Sequence, residues 1–186
     1  MTQIVRKETR REGTFEVRGW KPTRRPPGYV PYIVDNLWEW TRPEGMPNRR
    51  HSVFAAPNPE SIEVGGEPFR VVIEGPACIA QIEENDAKND QDCKGLARLV
   101  LKLLGKDWPS LSLEDKFQLA PLWAPCLTHE EVESILTAGP LADFKEEIAS
   151  NVTFWQKAKK VEWGDKLPYE CGEVFFEADT WRLEPM

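Results

Sequence analysis

Apolar and polar positions alternate with period two at Thr14–Trp20, where Phe15 and Val17 lie between polar neighbours, and this predicts a strand interrupted at Gly19. A second strand is expected at Phe69–Glu74 (FRVVIE), bounded by Gly65-Gly66 and Gly75-Pro76. A third is expected at Gly172–Asp179 (GEVFFEAD), with Trp181-Arg182-Leu183 extending it, and HSVFAAP reads as a short buried strand ending at Pro57. Asn58-Pro59-Glu60 then predicts a turn or a brief helical start.

Helical spacing takes over elsewhere. Residues 29–41 place Tyr29, Ile33, Leu37 and Trp40 on one face, with Pro31 suited to a first turn. In GLARLVLKLLG, Leu96, Leu99, Val100, Leu103 and Leu104 recur at helical intervals before Gly105. Ser112 precedes LEDKFQLA with an acid three residues on, and Thr128-His129-Glu130-Glu131 is a capping box ahead of VESIL. Pro140 heads LADFKEEIASNVTFWQKAKK, the longest helical stretch, with Val152-Thr153 weakening its middle.

Strands near both ends with a mainly helical segment at 93–160 between them predict an α+β fold: a mixed, split β-sheet from N-terminal and C-terminal strands. The length of 186 residues fits a single domain, 1–186. Residues 1–13 are charged and aperiodic, which predicts an extended arm, and the Pro- and Arg-rich KPTRRPPG predicts a cationic loop.

Composition narrows the function classes. Eight Trp and eight Phe in a chain that is 40% hydrophobic and 30% charged point to a folded core. No apolar run approaches the roughly 20 residues that span a bilayer, so no membrane partner and a cytoplasmic location are expected. Cys78, Cys93, Cys126 and Cys171 are scattered without a C-x-x-C pair, and there are only two His, so no metal is expected. His51 or His129 could serve Cys78 or Cys126 as a nucleophile pair, although nothing local brings them together.

The net charge of −7 divides unevenly. Residues 1–50 hold 11 Lys/Arg against 6 Asp/Glu, and residues 51–186 hold 13 against 25. That balance disfavours a nucleic-acid grip over the whole surface while leaving room for a local basic pocket that takes a phosphate-bearing ligand. Phosphate-binding Gly-rich loops, a G-x-S-x-G elbow and H-E-x-x-H are all absent.

Three segments stand out: VRGW at 17–20, RRHSVFAAPNPESI at 49–62 followed by the FRVVIEG strand, and GEVFFEAD at 172–179. An Arg on an early strand, a polar-headed strand ending in an A-x-P turn, and a Glu heading a late aromatic strand resemble the ADP-ribosyltransferase superfamily, in a divergent bacterial or phage form of toxin or effector type. The resemblance implies that NAD is the substrate. It implies that Arg18 contacts a ribose or phosphate of NAD, that Ser52 is the central hydroxyl with His51 or Arg50 nearby, and that Glu173 is the late acid, with Glu177 the other candidate.

The sequence departs from the family at two points, with H-S-V in place of the common S-T-S and E-V-F-F-E in place of E-x-E. On a strand, Glu173 and Glu177 would share a face about 13 Å apart. Chemically, a fixed carboxylate stabilises the positive charge that develops on ribose as the nicotinamide bond breaks. Arg18, Arg49 and Arg50 could take the pyrophosphate bidentately.

The implied activity is ADP-ribose transfer to a protein or nucleic-acid target in the cytosol, or NAD glycohydrolysis without a target. A non-enzymatic alternative is an acidic inhibitor or interaction protein, of the kind a phage or mobile element encodes, whose 51–186 region occupies a cationic groove. A metabolic enzyme acting on another nucleotide is the third class. In the plainest reading Arg18, Arg49, Arg50, His51, Ser52 and Glu173 are solvated or ion-paired surface residues.

Overall fold

The computed structural model of the chain describes residues 3–8, 18–19, 28–63, 65–105 and 107–186, with backbone alone at 18 and 19. The fold is α+β, and two compact units are distinguished within the chain. A sheet unit comprises 1–24, 44–87 and 157–186, and a helical unit comprises 25–43 and 88–156.

The aromatic, β-branched C-terminal segment forms the spine of the sheet. Strand β6 (Val174–Pro185) begins two residues later than GEVFFEAD and takes in the expected Trp181-Arg182-Leu183 extension, flanked by partners on both edges. Strand β4 (Glu67–Gln81) runs antiparallel along one edge, while β2 (Arg18–Gly19) and β3 (Val53–Ala55) share the other. On the far side of β4 lie β1 (Ile4–Glu8), with Ile4 opposite Val71, and β5 (Lys159–Val161), with Val161 opposite Ile79. Every described pairing is antiparallel.

The sheet curls until it nearly closes. Val5 and Ala56 exchange both backbone hydrogen bonds, at 2.7 and 2.8 Å, and so join β1 to the end of β3. Ile4, Val53, Val71, Ile79, Phe176 and Trp181 are buried inside the curl, where Phe176 and Trp181 meet edge to face. Residues 4–8 are therefore a paired strand and not an arm. Ile4 and Val5 are fully buried, and this apolar pair holds the segment on β4 despite its charged neighbours. The remainder of the expected arm, Thr14–Val17 and Trp20 of the first expected strand, and loop residues 21–27 lie outside the described residues.

Gly75-Pro76 does not end β4 as its composition suggested. Between the pairs Glu74–Thr180 and Ala77–Ala178, Gly75 and Pro76 stand opposite the single residue Asp179, which is a bulge. Proline is tolerated there because a bulge asks no ladder N–H of it, and Gly75 supplies a φ of 83°.

In the helical unit, α1 (Tyr32–Trp40) begins later than its pattern suggested. Pro31 precedes the helix, and its carbonyl accepts from the N–H groups of Val34 and Asp35. Tyr29, expected on the buried face, is 83% exposed. Helices α2 (Gln91–Leu103), α3 (Leu113–Leu119) and α4 (His129–Ala138) follow, α3 capped by Ser112 and α4 by the Thr128/Glu131 capping box. The long helix expected from Pro140 is instead α5 (Lys145–Asn151), α6 (Phe154–Lys157) and then β5.

The physical reason for that break is Asp92. Its buried carboxylate accepts from the Thr153 and Phe154 N–H groups at 3.0 Å, from the Thr153 hydroxyl at 2.7 Å and from the Trp38 indole at 2.8 Å. These bonds cap α6 and replace the helical bonds that Thr153 and Phe154 would otherwise make.

Candidate functional site

The candidate residues near Glu173 are organised by the turn before β3. Pro43–Pro47 carries the chain out of regular structure, and Asn48 then holds a tight turn. Its Oδ1 accepts the Arg50 N–H at 2.9 Å, and its carbonyl accepts both the His51 N–H at 3.1 Å and the Ser52 hydroxyl at 2.8 Å. The Asn48 N–H donates to Glu177 Oε2 at 2.8 Å. The turn is thus tied to the spine strand by its first residue.

The next residue, Arg49, reaches Glu173. Its Nη1 lies 2.5 Å from Glu173 Oε1, and the two side chains are only 11% and 12% exposed. The guanidinium spreads over Phe54 and Phe175, at 5.0 and 4.9 Å from the ring centroids. Those rings stand directly opposite each other in the β3–β6 register, so period-two alternation puts them on the face away from the curl's core. Glu173, Phe175 and Glu177 therefore form a row that residues 48 and 49 cover.

Glu173 is anchored through its backbone as well. Its N–H donates to Glu84 O at 2.8 Å, and its carbonyl accepts from Ile82 N at 3.0 Å. Gly172, just before it, has a φ of 107°, and a Cβ there would stand 2.0 Å from Ile82 O. Only glycine fits this approach of two backbones, and the approach sets where the Glu173 carboxylate points. The Ala87 N–H reaches Glu173 Oε2 at 3.5 Å. Nearby, Lys157 Nζ lies 3.4 Å from Glu84 Oε1, while Glu84 Oε2 is buried without a hydrogen bond.

The candidates are brought together selectively. Arg49 and Glu173 are in direct contact, Glu177 is linked to the same turn through Asn48, and Ser52 is fully buried with its hydroxyl engaged. Arg50 is 3% exposed and His51 half-buried, so neither turns outward as an open phosphate donor would. Arg18 stands opposite Trp181, eight residues along β6 from Glu173. Of the three arginines expected to meet the pyrophosphate, Arg49 is the one whose contact with Glu173 is described.

The residues that build this arrangement without any prior signal are Asn48, Phe54, Phe175 and Gly172. An Asn in a Pro-flanked loop and a Gly before a strand are common turn features, and their roles here come from pairings over 80 residues away in sequence. Among the described residues, no three of His, Cys, Asp and Glu gather as a metal site. No protein-family model, curated protein or solved structure matches the chain.

Proposed function

We propose that this protein handles NAD in the manner of an ADP-ribosyltransferase, with Glu173 as the acid and Arg49 as its cationic partner. The observation that carries the reading is the Arg49–Glu173 pair set on the Phe54/Phe175 ledge, a carboxylate and a guanidinium held together from positions 124 residues apart. An anionic pyrophosphate competes with Glu173 for the Arg49 guanidinium and offers it bidentate geometry. Glu173 released from Arg49 is then free to face the ribose carbon, where it stabilises the developing positive charge. Glu177, committed to the Asn48 N–H, holds the turn in this scheme and does no chemistry.

The test is nicotinamide release from labelled NAD, and label transfer to a lysate, for the parent chain, Glu173→Ala and Glu177→Ala. Turnover that disappears with Glu173→Ala and survives Glu177→Ala supports the scheme. A folded parent chain that neither binds nor cleaves NAD removes it.

A second reading, a non-enzymatic binding protein, is favoured by a different observation. Residues 107–156 carry nine Asp/Glu against two Lys, a net charge of −7, all within the helical unit. Glu114, Glu130, Glu131, Asp143, Glu146 and Glu147 are exposed there. A segment of that charge attracts a cationic partner and steers its approach. Under this reading Glu130→Lys with Glu131→Lys weakens partner binding, and Glu173→Ala leaves it unchanged.

A further inference from the structure

A second acid–cation pair adjoins the Arg49–Glu173 pair at the end of β4. Gln81, the last residue of that strand, stands between Lys159 of β5 on one side and Val174 of β6 on the other. Lys157 lies two residues before Lys159 and Glu173 one before Val174, so their strands stand about 10 Å apart, two strand spacings across β4. The chain leaving β4 fills the space between. Glu84 O accepts the Glu173 N–H at 2.8 Å, the Ala87 N–H reaches Glu173 Oε2 at 3.5 Å, and Glu84 Oε1 lies 3.4 Å from Lys157 Nζ.

The two pairs differ in quality. Arg49–Glu173 is short, shielded and set on two aromatic rings. Lys157–Glu84 is long, its side chains are 32% and 25% exposed, and Glu84 Oε2 is buried without a hydrogen bond. A carboxylate with one long ionic contact and one dry, unsatisfied oxygen is poorly compensated, and its hold on the ammonium is weak. Lysine carries its charge on a flexible stem with three rotatable donors, so it passes readily from one acceptor to another. Two cations in this arrangement suit a ligand with two linked anionic groups better than one with a single phosphate.

We propose that Lys157 acts with Arg49 as the second cationic contact of a diphosphate group, and that Glu84 is the counter-ion which the ligand displaces from it. The proposal rests on the NAD reading for the identity of the ligand and adds a substrate class to it. A dinucleotide or nucleoside diphosphate is preferred to a mononucleotide, because a single phosphate satisfies only one of the two cations. Lys157 binds in this scheme and does no chemistry.

The experiment is isothermal titration calorimetry of the full chain with inorganic pyrophosphate, orthophosphate and NAD, for the parent, Lys157→Met, Glu84→Gln and the double variant. Circular dichroism confirms that each is folded. Pyrophosphate should bind the parent more tightly than orthophosphate does. Lys157→Met should weaken it by about 10-fold. Glu84→Gln should tighten it by about 3- to 10-fold, by removing the competing carboxylate, and this gain should fade in high salt and shrink when Lys157→Met is added. Opposite signs for the two members of one ion pair are what a merely structural pair would not give, since the loss of either partner would then harm binding alike.

Equal pyrophosphate affinity in the parent and Lys157→Met overturns the proposal. So does weaker binding by Glu84→Gln, or orthophosphate bound as tightly as pyrophosphate. If NAD is cleaved in a Glu173-dependent way while Lys157→Met binds it like the parent, the enzymatic reading stands and this proposal falls. If pyrophosphate shows the expected opposite effects but NAD is neither bound nor cleaved, the two-cation site stands and the NAD reading falls. If neither ligand binds any form of the protein, both fall.

Discussion

Arg49 Nη1 lies 2.5 Å from Glu173 Oε1, with the guanidinium over the rings of Phe54 and Phe175 and both charged side chains largely shielded from water. The pair joins the turn before β3 to the start of the spine strand. It also means that the best candidate acid already has a cationic partner, so any ligand chemistry at Glu173 begins with a competition for Arg49.

Removing one member leaves the other charge shielded and uncompensated. Arg49→Ala and Glu173→Ala should each destabilise by about 1–3 kcal/mol, below the roughly 3–5 kcal/mol of a fully buried pair because some solvent still reaches both groups. Urea unfolding of the two single variants and the double variant measures the coupling. Additive single effects would show that the contact contributes nothing of its own.

Gly172 should tolerate no side chain. A Cβ would meet the Ile82 carbonyl at 2.0 Å and the Glu83 carbonyl at 2.8 Å, both backbone atoms, on a residue with a φ of 107°. Gly172→Ala is expected to cost about 2–4 kcal/mol. It should also weaken the Arg49–Glu173 coupling, because the backbone that aims Glu173 must shift. A midpoint of urea unfolding equal to the parent's would refute this account of the turn.

Asp92 collects four donors that water cannot reach easily, from Trp38, Thr153 and Phe154. Asp92→Ala orphans them together, with an expected loss of about 3–5 kcal/mol. Trp38 stacks on Phe154 at 4.1 Å, so its fluorescence should report the loosening. Asp92→Asn keeps the volume and one acceptor oxygen and should cost less. An alanine variant as stable as the parent would mean that the break at Val152-Thr153 has another cause.

Glu133 links stability to pH. The hydrogen bond from Lys145, then that from the Trp40 indole, holds its carboxyl below the usual glutamate range. A depressed folded-state pKa contributes stability above the unfolded value, and this is lost as pH falls through the folded one. The Tm difference between the parent and Glu133→Gln should therefore be present at pH 7, begin to shrink near the ordinary glutamate pKa of about 4.3, and vanish below the lowered one. The side chain is well solvated, so the difference is small and declines in high salt. A difference that grows on acidification would reverse the assignment.

Much of the fold was legible where local signals act alone. The Ser112 cap and the Thr128/Glu131 capping box start helices where their spacing said they would, since a cap needs only residues three apart. The leucine spacing in α2 and the aromatic content of β6 were enough to name those elements. Local signals failed where a distant partner outweighed them. Gly75-Pro76 reads as a terminator but is absorbed as a bulge because β6 runs on alongside it. A charged N-terminal segment reads as an arm but becomes a strand because β4 and Ala56 accept it.

The candidate site divides along the same line. Periodicity and residue type alone established an α+β chain, its capped helices, its late aromatic strand and a short list of polar residues. Tertiary structure decided that Arg49 stands beside Glu173, that Glu177 serves a backbone N–H, and that Ser52 is sealed inside. The reason is geometric: period and propensity describe residues a few positions apart, whereas register across β3, β6 and β2 sets which side chains separated by over a hundred residues share one face and one end of the sheet.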